Sequence, residues 1–146
     1  MKPTPFNPET DLAPIPFDMR HCLVAAELKQ AGMPWTPHVG CFVWDRDGHI
    51  AASCPFPHRI YFILNLGRFQ QIFTSIEDVT EKLIWLPTEH QARLLCAQFD
   101  VHETAVAAQW SPREPLFPAD PLFALYCLLL DTLRLRTTQR IDATAP

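Results

Sequence analysis

The sequence predicts an α+β fold: a small antiparallel sheet centred on a β-hairpin over about residues 39–54, packed by four or more helices in two layers. Three observations lead there. Asp47-Gly48 separates two short runs of strand-forming residues. Several segments open on Ser, Thr or Asp caps and carry apolar residues at helical spacing. The 146 residues, 48% hydrophobic and 19% charged, suffice for one domain with a sizeable core and are too apolar for a disordered chain.

The elements follow in order. Residues 1–16 carry Pro3, Pro5, Pro8, Pro14 and Pro16, which remove backbone donors and fix φ. They read as an extended or disordered arm, leaving 17–146 as the domain. Asp18 is an N-cap for a helix to about Ala31, with Gly32 as its stop and Pro34 beyond. Leu23, Val24, Ala26, Leu28 and Ala31 mark its expected buried face.

Val39 to Asp45 reads as the first strand. Asp47-Gly48 favours a type I′ turn, and His49 to Cys54 is the expected return strand, stopped by Pro55 and Pro57. That register sets Trp44 opposite Ala51 and Cys41 opposite Cys54. Residues 59–66 are apolar almost throughout, so periodicity does not separate strand from helix. Their β-branched and aromatic content favours a third strand. Ser75 with Asp78 caps a helix over 76–82, and Leu83 to Leu86 is a short strand ended by Pro87. Thr88 with Gln91 forms a capping box for a helix through Phe99. Asp120-Pro121 opens a last helix to about Arg136, apolar around more than one face and so buried on two sides or packed on a second copy.

Composition excludes some partners. A formal charge of −4 and a pI near 5.8 give no basic field for nucleic acid or anionic lipid. The longest apolar run, Leu122 to Leu130, is too short for a membrane span. Five dispersed cysteines and an N-terminal stretch without a signal-like apolar run point to reduced thiols in the cytoplasm.

Two patterns carry candidate chemistry. His38-x2-Cys41-x12-Cys54-x3-His58 has zinc-finger spacing with the ligand order rearranged. Facing cysteines on paired strands have Cβ atoms about 4.5–5.5 Å apart, within reach of one zinc ion. Pro55 and Pro57 forbid the ligand-bearing helix of a zinc finger, and reduced core thiols are the simpler expectation. Residues 92–110 have the spacing of a helix-turn-helix with Asp100 at the turn, but Glu103 to Trp110 has no lysine or arginine for phosphates. No phosphate loop, dinucleotide fingerprint, nucleophile elbow or metalloprotease motif is present. Trp35, Phe42, Trp44 and Arg46 form a candidate contact surface if one hairpin face is open. The expectation is therefore a noncatalytic binding or accessory protein acting through a protein partner or self-association as a homodimer. A zinc-site protein and a DNA-binding regulator stand as alternatives.

Overall fold

The computed structural model describes residues 7, 9–51, 56–101 and 120–144, with side chains for all but Gln70 and 138–144. Among these residues lie five α-helices and one three-stranded antiparallel sheet, the expected α+β architecture. Helix α1 is Met19–Gln30, followed by strand β1, Phe42–Trp44. A short 3-10 turn at Pro57–Arg59 leads into β2, Ile60–Phe62. Then come α2 (Leu66–Ile72), α3 (Ile76–Lys82), β3 (Ile84–Leu86), α4 (Glu89–Gln98) and α5 (Pro121–Thr144).

The caps sit where local chemistry puts them. The Asp18 side chain accepts from the backbone of α1's first turn, and the His21 ring accepts from the Asp18 N–H at 3.1 Å. Ser75 Oγ accepts from Asp78 N–H at 3.1 Å, and Thr88 and Gln91 close a reciprocal box. Asp120 Oδ1 accepts from Phe123 N–H at 2.9 Å at the start of α5. Each removes an orphan donor at a helix N-terminus. The buried face of α1 is rotated from the expected one: His21, Cys22, Ala25 and Leu28 are enclosed, whereas Leu23 is 56% exposed. The anchoring of His21 by its cap sets that rotation.

The sheet order is β2-β1-β3, so β1 is central. Here the expected hairpin needs correcting. The return strand of β1 is β2, with Trp44 opposite Ile60, Val43 opposite Tyr61 and Phe42 opposite Phe62. Ala51 does not face Trp44, and residues 49–51 form no strand. Cys41 meets Ile63 instead: Ile63 N–H donates to Cys41 O at 2.8 Å, and Gly40 N–H donates to Ile63 O at 2.9 Å. Cys54 itself lies outside the described residues.

The cause is Asp45, which is fully buried. Its carboxylate accepts from the N–H groups of His49 and Ile50 at 2.9 and 2.8 Å, consuming donors that a ladder would have used. Arg59 Nη2 joins the same carboxylate at 2.9 Å and the Ile50 carbonyl at 2.7 Å. The loop is thereby clamped, and pairing resumes where Asp45 N–H donates to Arg59 O at 3.1 Å. Gly48 has the positive φ (76°) expected of it, but Asp47 does not, so the turn is not type I′.

Alternation along β1 divides the interior in two. Phe42 and Trp44 face the larger cluster with Ile60, Ile84 and Leu86 under α1, α4 and α5. Val43 faces a second cluster of Cys41, Ile50, Tyr61, Ile63, Phe73, Val79 and Leu83. An apolar cluster thus lies against each face of the sheet. Ile15 and Phe17 are buried in the larger cluster, so the core begins inside the proline-bearing arm. Residues 1–6 and 8 of that arm lie outside the described residues. Along α5, Leu122, Leu125, Tyr126, Leu129, Leu130 and Leu133 are enclosed, which accounts for its apolar girth by packing against α1 and α4.

Candidate functional site

A cleft of about 580 Å³ opens between the end of α1, the chain that follows it, α3 and β3. That volume is within the range of ligand clefts, roughly 300–1,000 Å³. Its walls follow from local structure. Gly32, at φ 92°, lets α1 stop in a Schellman arrangement: Met33 N–H donates to Leu28 O at 3.0 Å and Gly32 N–H to Lys29 O at 3.1 Å. Pro34 then prevents the helix from continuing. The chain turns back along the sheet and brings Trp35 against Trp85, the middle residue of β3.

The two indoles are nearly parallel, 7° between planes with ring centroids 6.1 Å apart, an offset stack. Both rings are half-buried. Both Nε1 atoms are buried and have no acceptor among the described residues. An unmet buried donor costs about 1–3 kcal/mol, so two beside one cleft are unusual in a well-packed domain.

Polar groups sit at the rim. Lys29 Nζ donates to the carbonyls of Glu81 and Leu83 at the end of α3, the latter at 3.0 Å, so its charge offsets the negative end of that helix. Burial, then the nearby charge of Arg46, holds the Lys29 ammonium below its ordinary pKa, against the opposing pull of Asp47 and Glu81. Glu77 and Glu81, one turn apart on α3, line the cleft with exposed side chains. The arrangement is a flat aromatic wall, an apolar floor from Leu28 and Met33, and a carboxylate edge. It holds no nucleophile–base pair and suits binding.

The four residues expected to form one contact surface are not together. Trp35 lies in the cleft, on the Val43 side of the sheet. Phe42, on the other side, is boxed by Phe17, Phe56 and Phe62 with ring centroids 5.1, 6.1 and 4.9 Å away. Trp44 is 6% exposed and belongs to the core. Arg46 is exposed beside Asp47, at 3.5 Å. Successive strand residues point to opposite faces, and the face of Phe42 and Trp44 packs under α1, α4 and α5.

Of the zinc candidates, His38 Nε2 lies 3.4 Å from Cys41 Sγ, and Cys41 is enclosed while His38 is exposed. His58 is exposed in the 3-10 turn at a φ of 65°. Cys54 lies outside the described residues. Among the described residues, no three of His, Cys, Asp and Glu group as a metal site would require. The helix-turn-helix candidate is described only to Val101. Asp100 takes the left-handed conformation (φ 58°) expected at its turn, and residues 102–110 lie outside the described residues.

Two other features lie apart from the cleft. A polar cluster joins α1 to α5: His21, 1% exposed, lies 3.1 Å from Asp18 and 3.3 Å from Asp120, and Arg20 bridges the same two carboxylates. Every member caps or pins a helix start, which is a fastening role. A second groove of about 660 Å³ runs by Val39, Phe62 and Leu64, with Asn65 and Arg68 at its side.

No family model matches the chain, and neither a curated protein nor a solved structure matches it. Among the described residues, no helix is long and apolar enough to cross a membrane.

Proposed function

We propose that this protein is a noncatalytic binding protein that captures a peptide segment of a partner in the Trp35–Trp85 cleft. The observation that carries the reading is the pair of buried indole N–H groups without acceptors beside a preformed, largely apolar cleft. An extended peptide brings backbone carbonyls that no internal hydrogen bond occupies, which is the complement of two idle donors. The aromatic wall supplies contact area at low entropy cost, because tryptophan has only two side-chain torsions. Trp35 belongs to the contact surface expected from the sequence, and its place in the cleft wall supports the reading.

The test is a titration of capped tripeptides differing in their central residue, followed through the indole N–H resonances of the protein. At least one peptide class is expected to shift the Trp35 and Trp85 resonances and leave that of core Trp44 in place. Absence of any such shift from the whole panel, with the protein folded, would reject the cleft as a peptide site.

A further inference from the structure

The cleft's charge selects among peptides. Asp18, Asp45, Asp78, Asp120, Glu27 and Glu89 each have a cationic partner within ion-pair distance. Glu77 and Glu81 make no ion pair among the described residues, although both line the cleft beside exposed indole surface. Lys29, the one cation in the cleft wall among the described residues, feels the charge of Glu81 but directs its protons to backbone carbonyls. The rim therefore offers two uncommitted carboxylates next to two aromatic faces.

The fold contains the same combination already filled. The guanidinium of Arg20 lies 5.0 Å from the Phe123 ring centroid while pairing with Asp18 at 3.0 Å and Asp120 at 2.8 Å. One arginine thus spans an aromatic ring and two carboxylates within this chain. Its planar fork matches carboxylates in two-point contact and stacks on rings, which an ammonium does less well. An indole is the strongest aromatic partner for a cation.

We propose that the occupant of the Trp35–Trp85 cleft is a peptide segment presenting an arginine, whose guanidinium lies against the indoles and pairs with Glu77 and Glu81. This rests on the reading of the cleft as a peptide site. The peptide backbone supplies acceptors for the indole donors, and the arginine supplies the missing cation. An anionic side chain meets repulsion from both carboxylates, and a neutral one leaves them unused.

The experiment compares acetyl-Gly-Arg-Gly-amide with its citrulline counterpart, a neutral side chain of nearly the same shape, by titration against the indole resonances. The arginine peptide is expected to bind about tenfold more tightly, equivalent to about 1.4 kcal/mol, with the gap narrowing as salt rises. In a Glu77→Gln/Glu81→Gln variant, both changes being on exposed side chains, the gap is expected to close while the fold is retained. Equal binding of the two peptides, or a gap that persists in the double variant, overturns the arginine assignment and leaves the peptide site standing. Failure of both peptides while an acidic or apolar tripeptide shifts Trp35 and Trp85 does the same. Silence from every tripeptide overturns both readings.

Discussion

The guanidinium of Arg59 donates to the carboxylate of Asp45 at 2.9 Å, with Asp45 fully enclosed and the Arg59 side chain still 46% exposed. Fourteen residues separate them, and between them the chain makes the whole excursion from β1 to β2. Asp45 also accepts from two backbone N–H groups, so its loss strips the loop of its anchor. Asp45→Ala should therefore destabilise the protein by about 2–4 kcal/mol, seen as a lower urea midpoint at unchanged slope. An effect below about 0.5 kcal/mol, the size typical of surface changes, would show that the loop holds without the clamp.

Acid should attack the same clamp. Burial works against ionisation of Asp45, but the hydrogen bonds from Arg59, Ile50 and His49 outweigh it, and its pKa is lowered on folding. A carboxyl with a depressed folded pKa adds stability that is fully present above its unfolded value, about 3.9, and is lost as pH falls through the folded value. Asp18 adds to the same trend: burial opposes ionisation there too, and Arg20 and His21 outweigh it. The urea midpoint should thus fall as pH drops below about 4, and Asp45→Asn should make that fall shallower. Identical acid profiles for the two proteins would contradict the assignment.

Thiol chemistry gives a third check. Burial, then the charge of Asp18, pushes the Cys22 thiol up to about 12, and burial raises Cys96 despite the opposing charge of Arg93. The thiolate is the reactive form, so neither should react with an aromatic disulfide reagent at neutral pH until the protein unfolds. Peptide mapping after labelling measures this. Rapid native labelling of Cys22 would mean that the packing of α1 is wrong.

Tyr126 fastens α5 to the segment that ends β3. Its hydroxyl donates to the Pro87 carbonyl at 2.5 Å in a fully buried setting, and burial drives its phenol pKa well above the ordinary range. Tyr126→Phe should cost about 1–2 kcal/mol, because the enclosed Pro87 carbonyl loses its donor. Thermal melting reports the loss. Because Pro87 also lines the cleft, the same variant should weaken peptide binding without touching the peptide.

What was legible in the sequence was local. Asp18, Ser75, Thr88 and Asp120 each cap with partners no more than three residues away, so their side-chain type and spacing carry the information. The α+β class, the short strand before Pro87 and the strand expected over 59–66, which forms only at Ile60–Phe62, followed from the same short-range signals. The return partner of β1 did not, because Asp45 diverts the His49 and Ile50 donors with the help of an arginine far along the chain. The Asp47-Gly48 signal was therefore a turn without its usual hairpin. Trp35 stands among the residues expected at a contact and Trp85 does not, since the stack joins residues fifty positions apart.

Intermolecular proton–proton contacts measure occupancy of the cleft between Trp35 and Trp85 most directly. With acetyl-Gly-Arg-Gly-amide bound, nuclear Overhauser contacts should connect the arginine side chain to the indole ring protons of Trp35 and Trp85. None should reach Trp44 or the Val39–Phe62–Leu64 groove. Contacts confined to that groove, or none to either indole from a peptide shown to bind, would contradict the account.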